Sequence, residues 1–234
     1  MAWIDALDLL DKELMVWLNY DGAPWTDIFW WHFSQKLTWA ASTVALIATF
    51  ALRYRHHWRL FVVATVVAAL VVAAADQISS GLIKDLVERP RPSRHPVVSQ
   101  LLYYVGDYRG GRFGFVSSHA ANSFALSTML WMMFRGAWLR TTLLLWAVAN
   151  CYSRIYLGVH YPCDIIGGAV VGIAVGVAGY YGLRAVRRSA WCAAHDTDLT
   201  HHEDISYSRE PWILTLSVWL TVALLASVAT LALI

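Results

Sequence analysis

His160 and Asp164 stand four residues apart at the head of a long apolar run, so on a helix they share one face. A carboxylate so placed can hold one imidazole nitrogen and leave the other free to attack, which is the logic of an activated histidine nucleophile. Pro162, between them, suits a first helical turn, where its missing N–H costs nothing. His119 follows Ser117-Ser118 and precedes another apolar run, which puts it at a helix N-terminus. Free N–H groups there favour an anion, and an imidazole can protonate a leaving oxygen. Lys84, Arg91 and Arg154 add three cations, while Ser117, Ser118 and Ser153 add hydroxyl and backbone donors. Converging on one place, these groups match the charge and acceptor-rich geometry of a phosphoryl group.

The elements that must carry these residues are membrane helices. The chain of 234 residues is 58% hydrophobic and 15% charged, with 13 Trp, which is more apolar surface than one water-soluble core uses. Apolar runs near the spanning length of roughly 20 residues lie at about 26–52, 60–83, 118–134, 138–157, 164–183 and 212–234. They lack the alternation of a transmembrane barrel, so the expected fold is an all-α integral-membrane bundle of about six transmembrane helices. It is expected to form a single domain over 1–234, with a motif-bearing core at about 60–185 and a C-terminal transmembrane helix at about 212–234. Upstream, Trp3, Leu7, Leu10, Leu14 and Trp17 recur at helical spacing, with Asp5, Asp8, Lys12 and Glu13 mostly on other faces. That pattern predicts an N-terminal amphipathic helix lying at the interface. The acidic residues, with no basic leader before an apolar stretch, do not read as a cleavable signal peptide. Asp21-Gly22-Ala23-Pro24 predicts a turn, and Trp25, Trp30, Trp31 and Trp39 suit a membrane boundary.

Connectors fall into two sets. One carries Arg53, Arg55 and Arg59, then Arg135 and Arg140, then Arg184, Arg187 and Arg188 with a polar segment ending near Arg209. The other holds the stretch from Asp85 to Ser117 and the turn from Arg154 to Asp164. A raw tally of Lys and Arg is close to even between the two sides. Setting aside the basic residues assigned to phosphate leaves the arginine-rich short loops facing the cytoplasm and the site facing outward. A thiol near Gly110 is then expected to meet an impermeant reagent.

Gly168, Gly172 and Gly176 form a small-residue stripe, read as internal helix packing with homodimerisation as the alternative. Asp76, Ser80 and Lys84 are spaced by four, so Asp76, beside Gln77 in the second spanning run, is expected to support the Lys84 face by hydrogen bonding, with direct catalysis as the alternative. Cys151, Cys163 and Cys192 lack paired spacing and read as structural. The run His195, Asp196, Asp198, His201, His202, Glu203 and Asp204 falls on the side opposite the site and reads as a solvated loop, not a metal cluster. A net charge of +2 scattered over short loops points to no nucleic acid partner.

Together the clusters resemble the type 2 phosphatidic acid phosphatase family. Its first motif, Lys, six residues, then Arg-Pro, stands as Lys84 and Arg91-Pro92; the upstream Arg89-Pro90 has the wrong spacing and is assigned a supporting role. The third stands as Ser153-Arg154, five residues, His160, three residues, Asp164. The second, usually Pro-Ser-Gly-His, is here Val116-Ser117-Ser118-His119, and the Cβ at 118 alters how closely backbone can approach phosphate. The resemblance implies a hydrolase acting on lipid phosphates with neither metal nor cofactor. His160 would attack phosphorus, His119 would protonate the leaving group, and water would hydrolyse the phosphohistidine. Lys84, Arg91, Ser117, Ser118, Ser153 and Arg154 would bind phosphoryl oxygens, and Asp164 would orient His160.

By family analogy the first-choice substrate is undecaprenyl pyrophosphate, at the bacterial inner membrane with the site facing the periplasm. Phosphatidylglycerol phosphate, phosphatidate and the phosphates of lipid A are the alternatives. From other classes, a lipid or ion transporter would use intramembrane charges as a pathway, but repeated halves are missing. A vanadium-dependent haloperoxidase has a similar residue set, but in a mostly soluble family. A non-catalytic scaffold leaves the complete first and third motifs without a reason.

Overall fold

The protein is represented by a computed structural model that describes residues 2–189 and 211–232. The polar run from His195 to Asp204, with Cys192, lies outside the described residues. Among the described residues the helices, in chain order, are α1 (Ala2–Leu18), α2 (Pro24–Phe33), α3 (Ala40–Arg53), α4 (Trp58–Asp76), the short α5 (Lys84–Val87), α6 (Ser118–Met133), α7 (Ala137–Tyr156), α8 (Pro162–Arg188) and α9 (Trp212–Leu231). The described residues contain no β-strand, and the expected all-α bundle is what forms.

At its centre, α6 lies along α8, with α4 against both. The glycine stripe makes this approach close: a Cβ at Gly168, Gly172 or Gly176 would collide with the carbonyl of Ser117, Ala121 or Ala125 respectively. The stripe is therefore filled by α6 of the same chain. Alanines continue the close packing, Ala64, Ala68 and Ala75 on α4 meeting Ala121 and Ala125 of α6 in one buried cluster. The outer faces stay apolar at helical spacing: Val62, Val66 and Leu70 on α4, Ile166, Val170 and Ile173 on α8, and Leu216, Leu220 and Leu224 on α9 are all exposed. Apolar side chains facing outward suit lipid as solvent. The stretches Trp58–Val87, Pro162–Arg188 and Trp212–Leu231 are long and apolar enough to cross a membrane by length and composition.

The run at 26–52, expected as one span, is broken into α2, a 3-10 turn (Lys36–Trp39) and α3. Side chains just beyond α2 satisfy its last carbonyls: Thr38 Oγ1 donates to His32 at 2.6 Å, Trp39 Nε1 to Phe33 at 2.9 Å, and Ser34 Oγ to Trp31 at 2.9 Å. Helical continuation would otherwise have met that demand. The break matters because Ser34 reaches the site.

The amphipathic N-terminal helix forms as expected. Trp3, Leu7, Leu10, Leu14 and Trp17 are exposed, while Asp11 and Met15 are buried against the bundle. Beyond its end, Asn19 donates to the carbonyls of Tyr103, Ile155 and Tyr156 at 2.8 to 3.1 Å and accepts from the Tyr103 N–H at 2.7 Å. The buried amide thereby ties α1 to the end of α7 and to the 103 loop. Of the cysteines expected to be structural, Cys151 is buried and Cys163 is exposed, and both are free thiols.

Candidate active site

α7 ends where Gly158 takes a left-handed φ of +72°, a conformation natural to glycine, and the chain turns through Val159 to His160 before α8 begins at Pro162. Asp164, in the first turn of α8, is fully buried, and its Oδ2 accepts from the Tyr161 N–H at 3.0 Å. The same oxygen lies 3.4 Å from His160 Nδ1. With Nδ1–H turned to the carboxylate, His160 Nε2 carries the lone pair. That nitrogen faces Arg91 Nη1 at 3.2 Å. The two ring nitrogens are thus divided between a carboxylate and a guanidinium. Burial, then the charges of Arg91, Arg154 and Lys84, hold the His160 imidazole well below its ordinary titration range.

Arg91 is itself buried and fixed by backbone, Nε donating to the Phe113 carbonyl at 3.0 Å. Lys84 follows a π-helical segment, Gln77–Ile83, which continues α4. Such segments widen a helix by one residue per turn and are frequent at functional sites. Lys84 Nζ donates to Ser118 Oγ at 3.2 Å and to Ser80 Oγ at 3.3 Å. Asp76 accepts from Asn122 at 3.0 Å and acts on Lys84 only through its field. Ser117 caps α6 and donates its N–H to the Asp164 carbonyl at 2.9 Å, joining the second and third motifs through backbone.

His119, in the first turn of α6, has Nε2 3.3 Å from the Ser34 carbonyl and lies within electrostatic range of His160 and Arg154. Arg154 is buried; its Nη2 donates to Tyr108 Oη at 2.9 Å and its Nε has no protein partner. A cavity of about 570 Å³ opens beside these two residues, lined also by Trp31, Ser34, Lys36 and Tyr108. Ser153 is the member of the predicted set turned elsewhere: its hydroxyl donates to the Asn150 carbonyl of its own helix at 2.6 Å.

Sequence reasoning gave Arg89 a supporting role and missed the residues around it. Arg89 is more than a neighbour of the first motif: its Nη1 bonds Asp164 Oδ1 at 2.9 Å, and its Nη2 pairs with Asp11 at 2.8 Å and Asp8 at 3.0 Å. Burial opposes the charge on Arg89, but the carboxylates of Asp164 and Asp11 outweigh it and hold the guanidinium above its ordinary range. Gly114 is buried with no room for a side chain, since a Cβ there would stand 2.7 Å from Asp164 Oδ2. Ser34 and Tyr108 complete the set.

The arrangement gathers cations and hydrogen-bond donors around one buried imidazole nitrogen with a free lone pair, with a second imidazole nearby, and such a set is suited to phosphoryl transfer through histidine. Residues 65–188 match the family model of the PAP2 superfamily. A lipid A 4'-phosphatase of Bacteroides thetaiotaomicron is 38% identical over 170 residues, covering 72% of this chain and 75% of that protein. One of Porphyromonas gingivalis is 35% identical over 194 residues, covering 80% and 79%. An undecaprenyl-diphosphatase of Bacillus subtilis is 30% identical over 106 residues, covering 45% and 51%. Among solved structures, the transmembrane PAP2 type phosphatidylglycerolphosphate phosphatase of Bacillus subtilis shares the fold with a TM-score of 0.58 at 19% identity, over 78% of this chain and 89% of that one. The chain belongs to the PAP2 superfamily and is a membrane phosphatase acting on lipid phosphates.

Proposed function

We propose that the protein removes a phosphomonoester from a lipid A-type glycolipid, with His160 as nucleophile. The observation that carries the mechanism is the division of the His160 ring between Asp164 and Arg91. Nε2 attacks phosphorus while Nδ1 keeps its proton, directed at the Asp164 carboxylate, which balances the charge that develops on the ring. His119 gives a proton to the departing alkoxide, then accepts one from the water that cleaves the phosphohistidine. Arg91, Arg154, Lys84 and the Ser118 hydroxyl take the phosphoryl oxygens, with the Ser117 and Ser118 backbone at the α6 N-terminus.

Support for the glycolipid comes from two lipid A 4'-phosphatases that match over most of both chains, whereas the undecaprenyl-diphosphatase match spans under half of this one. Undecaprenyl pyrophosphate, the first choice by analogy, thereby becomes the second reading. On the proposed orientation the site faces the periplasm from the inner membrane, with the arginine-bearing short loops on the cytoplasmic side.

The test is phosphate release by the purified protein from bis-phosphorylated lipid A, undecaprenyl pyrophosphate, phosphatidylglycerol phosphate and phosphatidate, beside His160→Ala. Lipid A is expected to turn over fastest, losing its 4'-phosphate, with acid-labile phosphate on the protein absent from the variant. Preference for undecaprenyl pyrophosphate would overturn the substrate reading, and undiminished release by His160→Ala the mechanism.

A further inference from the structure

Asp164 is the only carboxylate that the described contacts bring to the His160 ring, and each of its oxygens has a distinct partner. Oδ1 receives Arg89 at 2.9 Å; Oδ2 receives the Tyr161 N–H at 3.0 Å and faces His160 Nδ1 at 3.4 Å. Arg89 on Oδ1, with the Tyr161 N–H on Oδ2, thus sets which oxygen faces the imidazole. The Arg89 guanidinium also lies 4.2 Å from the centre of the Tyr161 ring, bracing the residue that follows the nucleophile. Its other end is held by Asp11 and Asp8 of α1 at 2.8 and 3.0 Å. Asp11 adds a second tie: its Oδ1 accepts from the Cys163 N–H at 2.8 Å, at the first turn of the helix that carries Asp164. An unpaired carboxylate as buried as Asp164 is costly, so losing Arg89 would force it to turn or take up a proton.

We infer that Arg89 is a positioning residue for the reaction, fixing the Asp164 carboxylate against His160, and that Asp11 anchors it from the N-terminal helix. The first motif then supplies two arginines with separate tasks around one pair. Arg91 meets the imidazole nitrogen that faces phosphate, and Arg89 holds the carboxylate on the opposite nitrogen. The interfacial helix belongs to the catalytic unit through a chain of four groups: Asp11, Arg89, Asp164 and His160. The inference rests on the phosphohistidine mechanism proposed above and is independent of the lipid head group.

The experiment uses full-length protein in detergent, with kcat and KM measured on dioctanoyl phosphatidate and on lipid A and normalised to sites titrated by phosphoenzyme formation. Parent turnover of the two substrates tests the substrate reading; the variants test the positioning role on whichever is cleaved. Arg89→Ala is expected to lower kcat about 100-fold with KM within about threefold, as for an interaction that matters in the transition state. Arg89→Lys, which keeps the charge but cannot span from Asp164 to the α1 carboxylates, should recover about tenfold of that loss. Asp11→Asn should lower kcat about fivefold alone and add nothing to Arg89→Ala, the signature of one linked network. A purely structural Arg89 would reduce titrated sites and leave kcat per site intact, which overturns the inference. So does full multiplicativity of the Asp11 and Arg89 effects. Should Arg89→Ala fail to fold, Asp11→Asn decides alone: unchanged kcat per site refutes the anchor.

Discussion

Lys84 reaches across to Ser118 and donates to its hydroxyl at 3.2 Å, at the one position where the second motif carries a serine in place of the usual glycine. Accepting from Lys84 leaves the Ser118 hydroxyl proton free to donate to a phosphoryl oxygen. On the proposed mechanism the departure would add a donor for phosphate, and the hydroxyl holds Lys84 beside it. Hydrogen bonds to charged groups contribute about 1.5–3 kcal/mol, so Ser118→Gly is expected to lower kcat/KM by about tenfold, mostly through KM, and Lys84→Ala by about 100-fold. Steady-state kinetics on lipid A decide it. A gain in kcat/KM for Ser118→Gly would show instead that the Cβ obstructs phosphate.

His160 gives the pH dependence a definite sign. Burial and the cations around it keep its imidazole neutral well below the ordinary range, while the unfolded chain takes up a proton near about pH 6.5. Below that pH the unfolded state binds the extra proton, so stability falls with falling pH by up to about 1.4 kcal/mol per pH unit, until the folded imidazole also titrates. Above about pH 6.5 both states are neutral and this effect vanishes. His160→Asn removes the titrating group. Between pH 7.5 and 5.0 the apparent Tm of the parent in detergent should therefore fall further than that of the variant. Parallel curves would contradict the depressed titration.

Gly114 is where a single methyl group should do most harm. A Cβ there would meet Asp164 Oδ2 at 2.7 Å and Arg91 Cγ at 3.4 Å. Neither neighbour can swing away, because that oxygen is tied to Tyr161 N–H and Arg91 is bonded to Phe113. Overpacking of this kind costs about 1–3 kcal/mol. Gly114→Ala should lose at least tenfold in kcat while the apparent Tm drops several degrees. Activity within twofold of the parent would mean that the carboxylate is less tightly placed than the geometry requires.

How much of this was legible in the sequence depends on how local each relationship is. His160 and Asp164 stand four residues apart at a helix start, so spacing alone announced their pairing, and the helix starts at Ser118 and Pro162 were local as well. Lys84 meeting Ser118 followed once three separate motifs were taken to serve one phosphate. Arg89 with Asp11 was not legible, because nothing in a one-dimensional pattern relates an interfacial helix to a loop 78 residues later. The break at Ser34–Gln35 was hidden by the apolar residues on either side. It depends on Thr38 and Trp39 folding back onto α2, and hydropathy does not register side-chain capping. The glycine stripe marked a close helix approach but not its partner, which α6 supplies.

Membrane orientation calls for a labelling site chosen from the structure. A thiol at Gly110 is a poor reporter: φ there is +65° and a Cβ would lie 2.7 Å from Arg91 Nη1, so the substitution strains the pocket it is meant to report on. Asp107 is exposed in the same connector, and Arg55 is exposed in the loop between α3 and α4, on the opposite set of connectors. In a background with Cys151, Cys163 and Cys192 replaced, Asp107→Cys should react with an impermeant maleimide in intact cells whose outer membrane has been permeabilised. Arg55→Cys should react only after the inner membrane is broken. The reverse pattern would turn the active site to the cytoplasm, and the arginine-bearing short loops would then break the positive-inside preference that motivated the assignment.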